Sequence, residues 1–166
     1  VNVAIRRGEL EDAGAIAAMV KDLTDEIVER TGSQYFTIDI ETTTCRCRHF
    51  LAEGIYTVFL AIDTETHGKI GFISLCESYA LYAEGAFGII QELYVVPTHR
   101  SLQVGRQLVA VAQSYGGDRG WKRLEVSTPP LPAFDNTVRF YAQQNFEFSG
   151  GRKMKIDLLE NSPKLR

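Results

Sequence analysis

The chain has 166 residues, 45% of them apolar, 23% charged and 10% aromatic, a composition that excludes a disordered segment and suits one core-forming domain spanning 1–166. Its formal charge of −3 and pI near 5.7 argue against a nucleic-acid partner held by counterion release. The longest apolar run, 55–62, breaks at Asp63, well short of a membrane span, so no membrane partner is expected.

Residues 2–6 alternate into a short strand, followed by a helix over about 10–30, with Ala13, Ile16, Ala17, Val20, Leu23, Ile27 and Val28 on one stripe. Thr31-Gly32-Ser33 stops it, and a second helix is predicted over about 40–52. From Ile55 the period changes. Residues 55–62 are rich in β-branched and aromatic side chains and predict a buried strand, paired as a hairpin with 69–78 across the polar turn 63–68. A third strand, 86–96, ends at Pro97, and a helix over about 104–115 is predicted to be capped by Gly116-Gly117. Then come a strand at 123–127, the link Pro129-Pro130-Leu131-Pro132, and a helix to Gln144 with Asp135 or Asn136 as its N-cap. Two strands, 146–148 and 153–159, close the chain around Gly150-Gly151. The order β-α-α-β-β-β-α-β-α-β-β predicts an α/β (α+β) protein with a mixed sheet flanked by helices.

The cysteines are Cys45, Cys47 and Cys76. The run Cys45-Arg46-Cys47-Arg48-His49 looks like a metal clip. On a helix, however, Cys45 and His49 share a face that Cys47 leaves, so no metal site is expected. The odd cysteine count and the absence of a leader pattern suit a reducing, cytoplasmic location; the chain starts at Val1 without Met, which suggests trimming.

The chemically informative stretch is Gln91-Glu92-Leu93-Tyr94-Val95-Val96-Pro97-Thr98-His99-Arg100-Ser101-Leu102-Gln103-Val104-Gly105-Arg106. It reads as strand, tight polar loop and helix start, an arrangement that can aim several free N–H groups and a helix dipole at one anion. Arg100 and Arg106 flank it. From these features alone a diphosphate site and an ordinary connection with solvated arginines are equally good readings.

Order and motif together resemble the GNAT N-acetyltransferase superfamily across essentially the whole chain. The family pattern has a strand ending near Leu-Tyr-Val-x-Pro and then Arg/Gln-x-x-Gly-x-Gly/Ala. Here Arg100 and Gly105 match and Val104 is the apolar residue between the family's glycines, while Ser101 and Gln103 stand where glycine is usual. Downstream, Phe140-Tyr141-Ala142-Gln143-Gln144-Asn145-Phe146 is similar to Phe/Leu-Tyr-x-x-x-Gly-Phe, with Asn145 replacing glycine in a left-handed cap. A non-glycine at position 103 would be strained if its φ is positive, weakening coenzyme affinity.

The resemblance implies a centrally splayed sheet and transfer of an acetyl group from acetyl-CoA, the cosubstrate, to a primary amine. Leu93, Tyr94 and Val95 would pair with the pantetheine arm through backbone groups, and Arg100, Ser101, Leu102, Gln103, Val104, Gly105 and Arg106 would hold the pyrophosphate. Glu92 is the candidate general base, with Glu77 as the fallback; taken alone, Glu92 reads equally well as a strand carboxylate in an ion pair. Neighbouring strand residues face opposite sides, so Gln91 and Glu92 share a face only if a bulge intervenes. Tyr141 is the candidate acid for the leaving thiolate. The acceptor, expected to be a small-molecule amine, would meet Glu26–Thr44, Tyr79–Glu84 and the last hairpin, and the first two regions hold Glu26, Glu29, Tyr35, Asp39, Glu41, Tyr79, Tyr82 and Glu84. A homodimer is implied by resemblance only. The competing reading is a non-catalytic acyl-CoA-binding or protein-interaction domain whose pyrophosphate loop has degenerated at Ser101 and Gln103.

Overall fold

The computed structural model describes residues 2–33, 37–129 and 133–158. The sheet has five strands in the order β1 (Val3–Arg7), β2 (Thr57–Asp63), β3 (Lys69–Ala80), β4 (Gly85–Val95) and β5 (Leu124–Val126). The first four are antiparallel, and β5 joins β4 in parallel over Gly88–Ile90 only. Helices α1 (Ala13–Thr31) and α2 (Ile40–Ala52) cover one face; α3 (Val104–Asp118) and α4 (Asp135–Gln143) cover the other.

Strand alternation sorts the core into two layers. Val58, Leu60, Phe72 and Tyr94 pack with Ala13, Ile16 and Met19 of α1 and Cys47 of α2. Ala61, Ile73, Leu75 and Ile90 pack with Val104, Leu108, Val109 and Ala112 of α3 and Tyr141 of α4. A sheet buried on both faces explains why 55–62 lacks a polar alternation.

Three expectations are corrected. Gly116-Gly117 does not cap α3, which runs on to Asp118. Gly116 is needed for close approach instead: a Cβ there would sit 2.6 Å from the Trp121 ring, and one at Gly88 would sit 2.2 Å from it. The cap of α4 is Phe134, and neither Asp135 nor Asn136 makes a side-chain cap bond. The strands expected at 146–148 and 153–159 are absent among the described residues, which run as irregular chain to 158; residue 159 lies outside them. The edge of β5 therefore has no partner strand among the described residues, and Phe148, Met154, Ile156 and Leu158 are exposed. Most of the expected Pro-rich link, 130–132, also lies outside the described residues.

The entry to α1 is locked by buried Asp12, which accepts both Arg6 guanidinium nitrogens (2.8 and 2.9 Å) and the Glu9 N–H (2.8 Å), with Lys69 Nζ at 3.5 Å. These donors, Arg6 first, pull its carboxyl down to about 2. A depressed carboxyl stabilises the fold above its unfolded value and loses that contribution as pH falls through the folded one. Asp12→Asn should therefore cost about 1–3 kcal/mol in urea unfolding at pH 7, a loss that shrinks toward pH 2 as the wild-type carboxyl is protonated.

Candidate active site

The site is built on β4. Ser74 of β3 stands opposite Glu92 but Leu75 stands opposite Ile90, so Gln91 is an extra residue in β4. Without that bulge, Ile90 and Glu92 would share a face. With it, Ile90 stays in the α3 layer while Glu92 turns toward α2 and the first half of α1.

There Ser74 Oγ–H donates to Glu92 Oε2, the Glu92 N–H donates back to Ser74 Oγ (2.9 Å), and Tyr56 O–H donates to Glu92 Oε1 (3.1 Å). Glu92 has no cationic partner among the described residues, which removes the ion-pair reading. Burial pushes its carboxyl above the ordinary range, and the two hydroxyls pull part of the way back. A carboxylate displaced toward neutral pH is a stronger base than a solvated one. Glu77, the fallback, is a latch: it accepts Trp121 Nε1–H (2.7 Å) and Arg119 (3.1 Å), and hydrogen bonds from Tyr79, Trp121 and Arg119 hold its carboxyl down.

Beyond Ile90, β5 has ended, and Gln91–Val95 has no strand beside it on that edge among the described residues. Leu93 and Val95 point into the α3 layer and Tyr94 into the α1 layer, so these three could meet a ligand only through backbone groups. Val95 O already accepts Arg100 Nε–H at 2.8 Å.

The following loop turns left-handed twice, at Ser101 (φ 64°) and at Gln103 (φ 65°), the N-cap of α3. This explains why glycine is usual at both positions in the family. The first backbone bond of α3 is Gln107 N–H to Gln103 O, and the amides from Ser101 to Arg106 have no acceptor among the described residues. The first turn of α3 carries no acidic residue. An unspent row of N–H groups at a helix start is what a phosphate oxygen requires.

The arginines divide. Arg106 is exposed at the helix start. The Arg100 guanidinium is already engaged: it grips Glu26 of α1 in a two-bond pair (2.7 and 3.0 Å) and lies over the Tyr94 ring. Arg100 thus braces the loop. Glu26, expected near the acceptor, is committed to that brace. Gly105 also has a packing reason, since a Cβ there would come within 3.2 Å of the Phe140 ring of α4.

Tyr141 is buried on the α3 face, edge-on to Phe140 and Phe146. Its hydroxyl makes no hydrogen bond among the described residues, and burial alone raises its pKa. Asn145 takes the left-handed position (φ 67°) expected of it. Tyr79 and Tyr82 project at the β3–β4 tip, 71% and 76% exposed, and Tyr35 lies outside the described residues. Sequence reasoning missed Tyr56 and Ser74 as partners of Glu92, because strand pairing alone brings them together.

The family described as Acetyltransferase (GNAT) domain matches residues 54–148. No curated protein matches the chain by sequence. Among solved structures, the ribosomal-protein-alanine N-acetyltransferase of Brucella melitensis is similar at a TM-score of 0.70 and 16% identity, over 95% of this chain and 99% of that one. A predicted acetyltransferase with acetyl-CoA from Clostridium acetobutylicum is similar at 0.75 and 14%, over 96% and 98%. An aminoglycoside acetyltransferase from an uncultured soil metagenomic sample is similar at 0.73 and 17%, over 95% and 97%. The fold is that of the acetyltransferases it resembles. The chain belongs to the GNAT acetyltransferase family.

Because Gln103 is left-handed within a formed loop, its strain of about 1–2 kcal/mol falls on folding rather than on binding. Gln103→Gly should raise the melting temperature by roughly 2–4 °C once the added chain entropy is subtracted. Coenzyme affinity measured by calorimetry should stay within about threefold.

Proposed function

We propose that the protein transfers an acetyl group from acetyl-CoA to a primary amine by direct attack on the thioester. The observation that carries this reading is the unspent amide row from Ser101 to Arg106 at the start of α3, beside a β4 edge that β5 has left. These amides, with Arg106, would hold the pyrophosphate, and the backbone of Leu93–Val95 would line the pantetheine arm. A left-handed loop with open amides is formed and not degenerate, which favours coenzyme binding over a pure interaction domain, and the buried Glu92 carboxyl held by hydroxyls alone favours transfer over binding without turnover.

Acetyl-CoA supplies an activated acyl carbon. Glu92 accepts a proton from the incoming ammonium, directly or through one water, so that the nitrogen lone pair can form the C–N bond. A backbone amide of the open β4 edge would steady the developing oxyanion. As the C–S bond breaks, Tyr141 would give its phenolic proton to the departing sulfur. Burial keeps that phenol protonated until then.

At about a hundredfold excess over its Kd, acetyl-CoA should raise the melting temperature by roughly 5–10 °C. Tyr141→Phe should lower turnover and keep that shift; undiminished thiol release would remove Tyr141 from the acid role.

Glu92→Gln should lower kcat by about a hundredfold or more. The base works ionised, so wild-type kcat should fall as pH drops through its raised pKa, above the usual carboxylate range. Tyr56→Phe removes a donor to the ionised form, so its acidic limb should move to higher pH. An unmoved limb would detach Glu92 from the profile.

A further inference from the structure

The transferase reading leaves the acceptor open, and the following inference rests on that reading. Between α1, α2 and the sheet lies a cavity of about 150 Å³ with Glu92 and Tyr56 in its lining. Its apolar wall is made by Ile16 and Val20 of α1, Phe50 of α2, Phe72 of β3 and Ile38 just ahead of α2. A cavity of this volume with such walls takes a body of about benzene's size, roughly six to eight non-hydrogen atoms.

Two charges line it. Glu92 is an anion with hydroxyl donors but no cation, and Arg46 of α2 is a cation with no acid partner among the described residues. The base that must take the proton therefore stands in the same small space that would desolvate the acceptor's hydrocarbon. A second ammonium on the acceptor would lie near Arg46 with no carboxylate to offset it. Cys47, which also lines the cavity, is pushed up to about 11 by burial and offers no competing thiolate nucleophile.

We propose that the acceptor is a compact apolar monoamine, its nitrogen at Glu92 and its hydrocarbon body between α1 and α2, and that Val20, Ile38 and Arg46 set this selectivity. Polyamines and basic peptide tails are disfavoured by size and by Arg46, and short diamines by Arg46 alone.

The test is thiol release from acetyl-CoA with isobutylamine and benzylamine against 1,5-diaminopentane, spermidine and a lysine-rich peptide. At least tenfold higher kcat/KM for the monoamines is expected. Val20→Phe should raise the benzylamine KM at least tenfold while keeping the acetyl-CoA melting shift. Ile38→Trp fills the same space from outside the helices and serves if Val20→Phe does not fold. Arg46→Glu should lower the KM for diaminopentane. Preference for the polyamine or the peptide, or a benzylamine KM indifferent to the filling variants, would overturn the assignment while leaving acetyl transfer standing. No melting shift with acetyl-CoA and no thiol release with any amine would overturn both.

Discussion

Ser74 pairs with Glu92 and Leu75 with Ile90, and the single residue left over, Gln91, sets which face of the sheet the Glu92 carboxyl reaches. Before the bulge, β4 is an ordinary inner strand, held by β3 on one edge and β5 on the other. After it, β4 has lost β5, and its alternation has been reversed relative to the first half. A carboxylate that regular pleating would have put among Leu75, Ile90 and Leu108 is instead delivered to the α1–α2 layer. In the α3 layer it would have been a buried charge without a partner, costing several kcal/mol. On its actual side it meets two hydroxyls.

Helix α1 ties the two halves of the site together. Its first half, through Ile16 and Val20, walls the cavity above Glu92, and its later part, through Glu26, holds Arg100 and so the loop. The Glu26 carboxyl is held down, chiefly by its hydrogen bonds from Arg100, so this brace is intact at neutral pH and loosens as acid protonates it. The pair is partly exposed, and its energy is modest. Its structural effect is larger, because the two left-handed residues downstream need an anchored partner to stay in place. A loop whose strain is met during folding presents its amides already aimed, so a ligand does not have to organise them.

Helical stripes, the hairpin and the strand–loop–helix unit were legible in the sequence because each rests on local periodicity or on a proline or glycine. Ile40–Ala52 is a case where even the ends agree. What was hidden depended on distant partners. Gly116-Gly117 looks like a stop signal, and only the Trp121 ring shows that small size was needed there. Arg100 looks like a phosphate ligand until Glu26, 74 residues away, takes its guanidinium. The facing of Glu92 could be stated only conditionally, since a bulge leaves no mark in composition. The last two expected strands have alternating residues, yet neither pairs with the free edge of β5 among the described residues, so alternation alone did not make them strands.

The proposed base and the proposed acid lie on opposite faces of the sheet, Glu92 with the α1–α2 layer and Tyr141 with the α3–α4 layer. The same physical cause acts on both: removal from water disfavours the charged form of each and raises both pKa values. For a carboxylate, that makes proton capture easier. For a phenol, it keeps the proton on oxygen at neutral pH but also makes the group a weaker acid toward a thiolate, so the proposed transfer from Tyr141 needs a ligand that restores polarity around the hydroxyl. In the proposed reaction, the edge of β4 past Ile90, which has no neighbouring strand among the described residues, would be the place where the two faces meet.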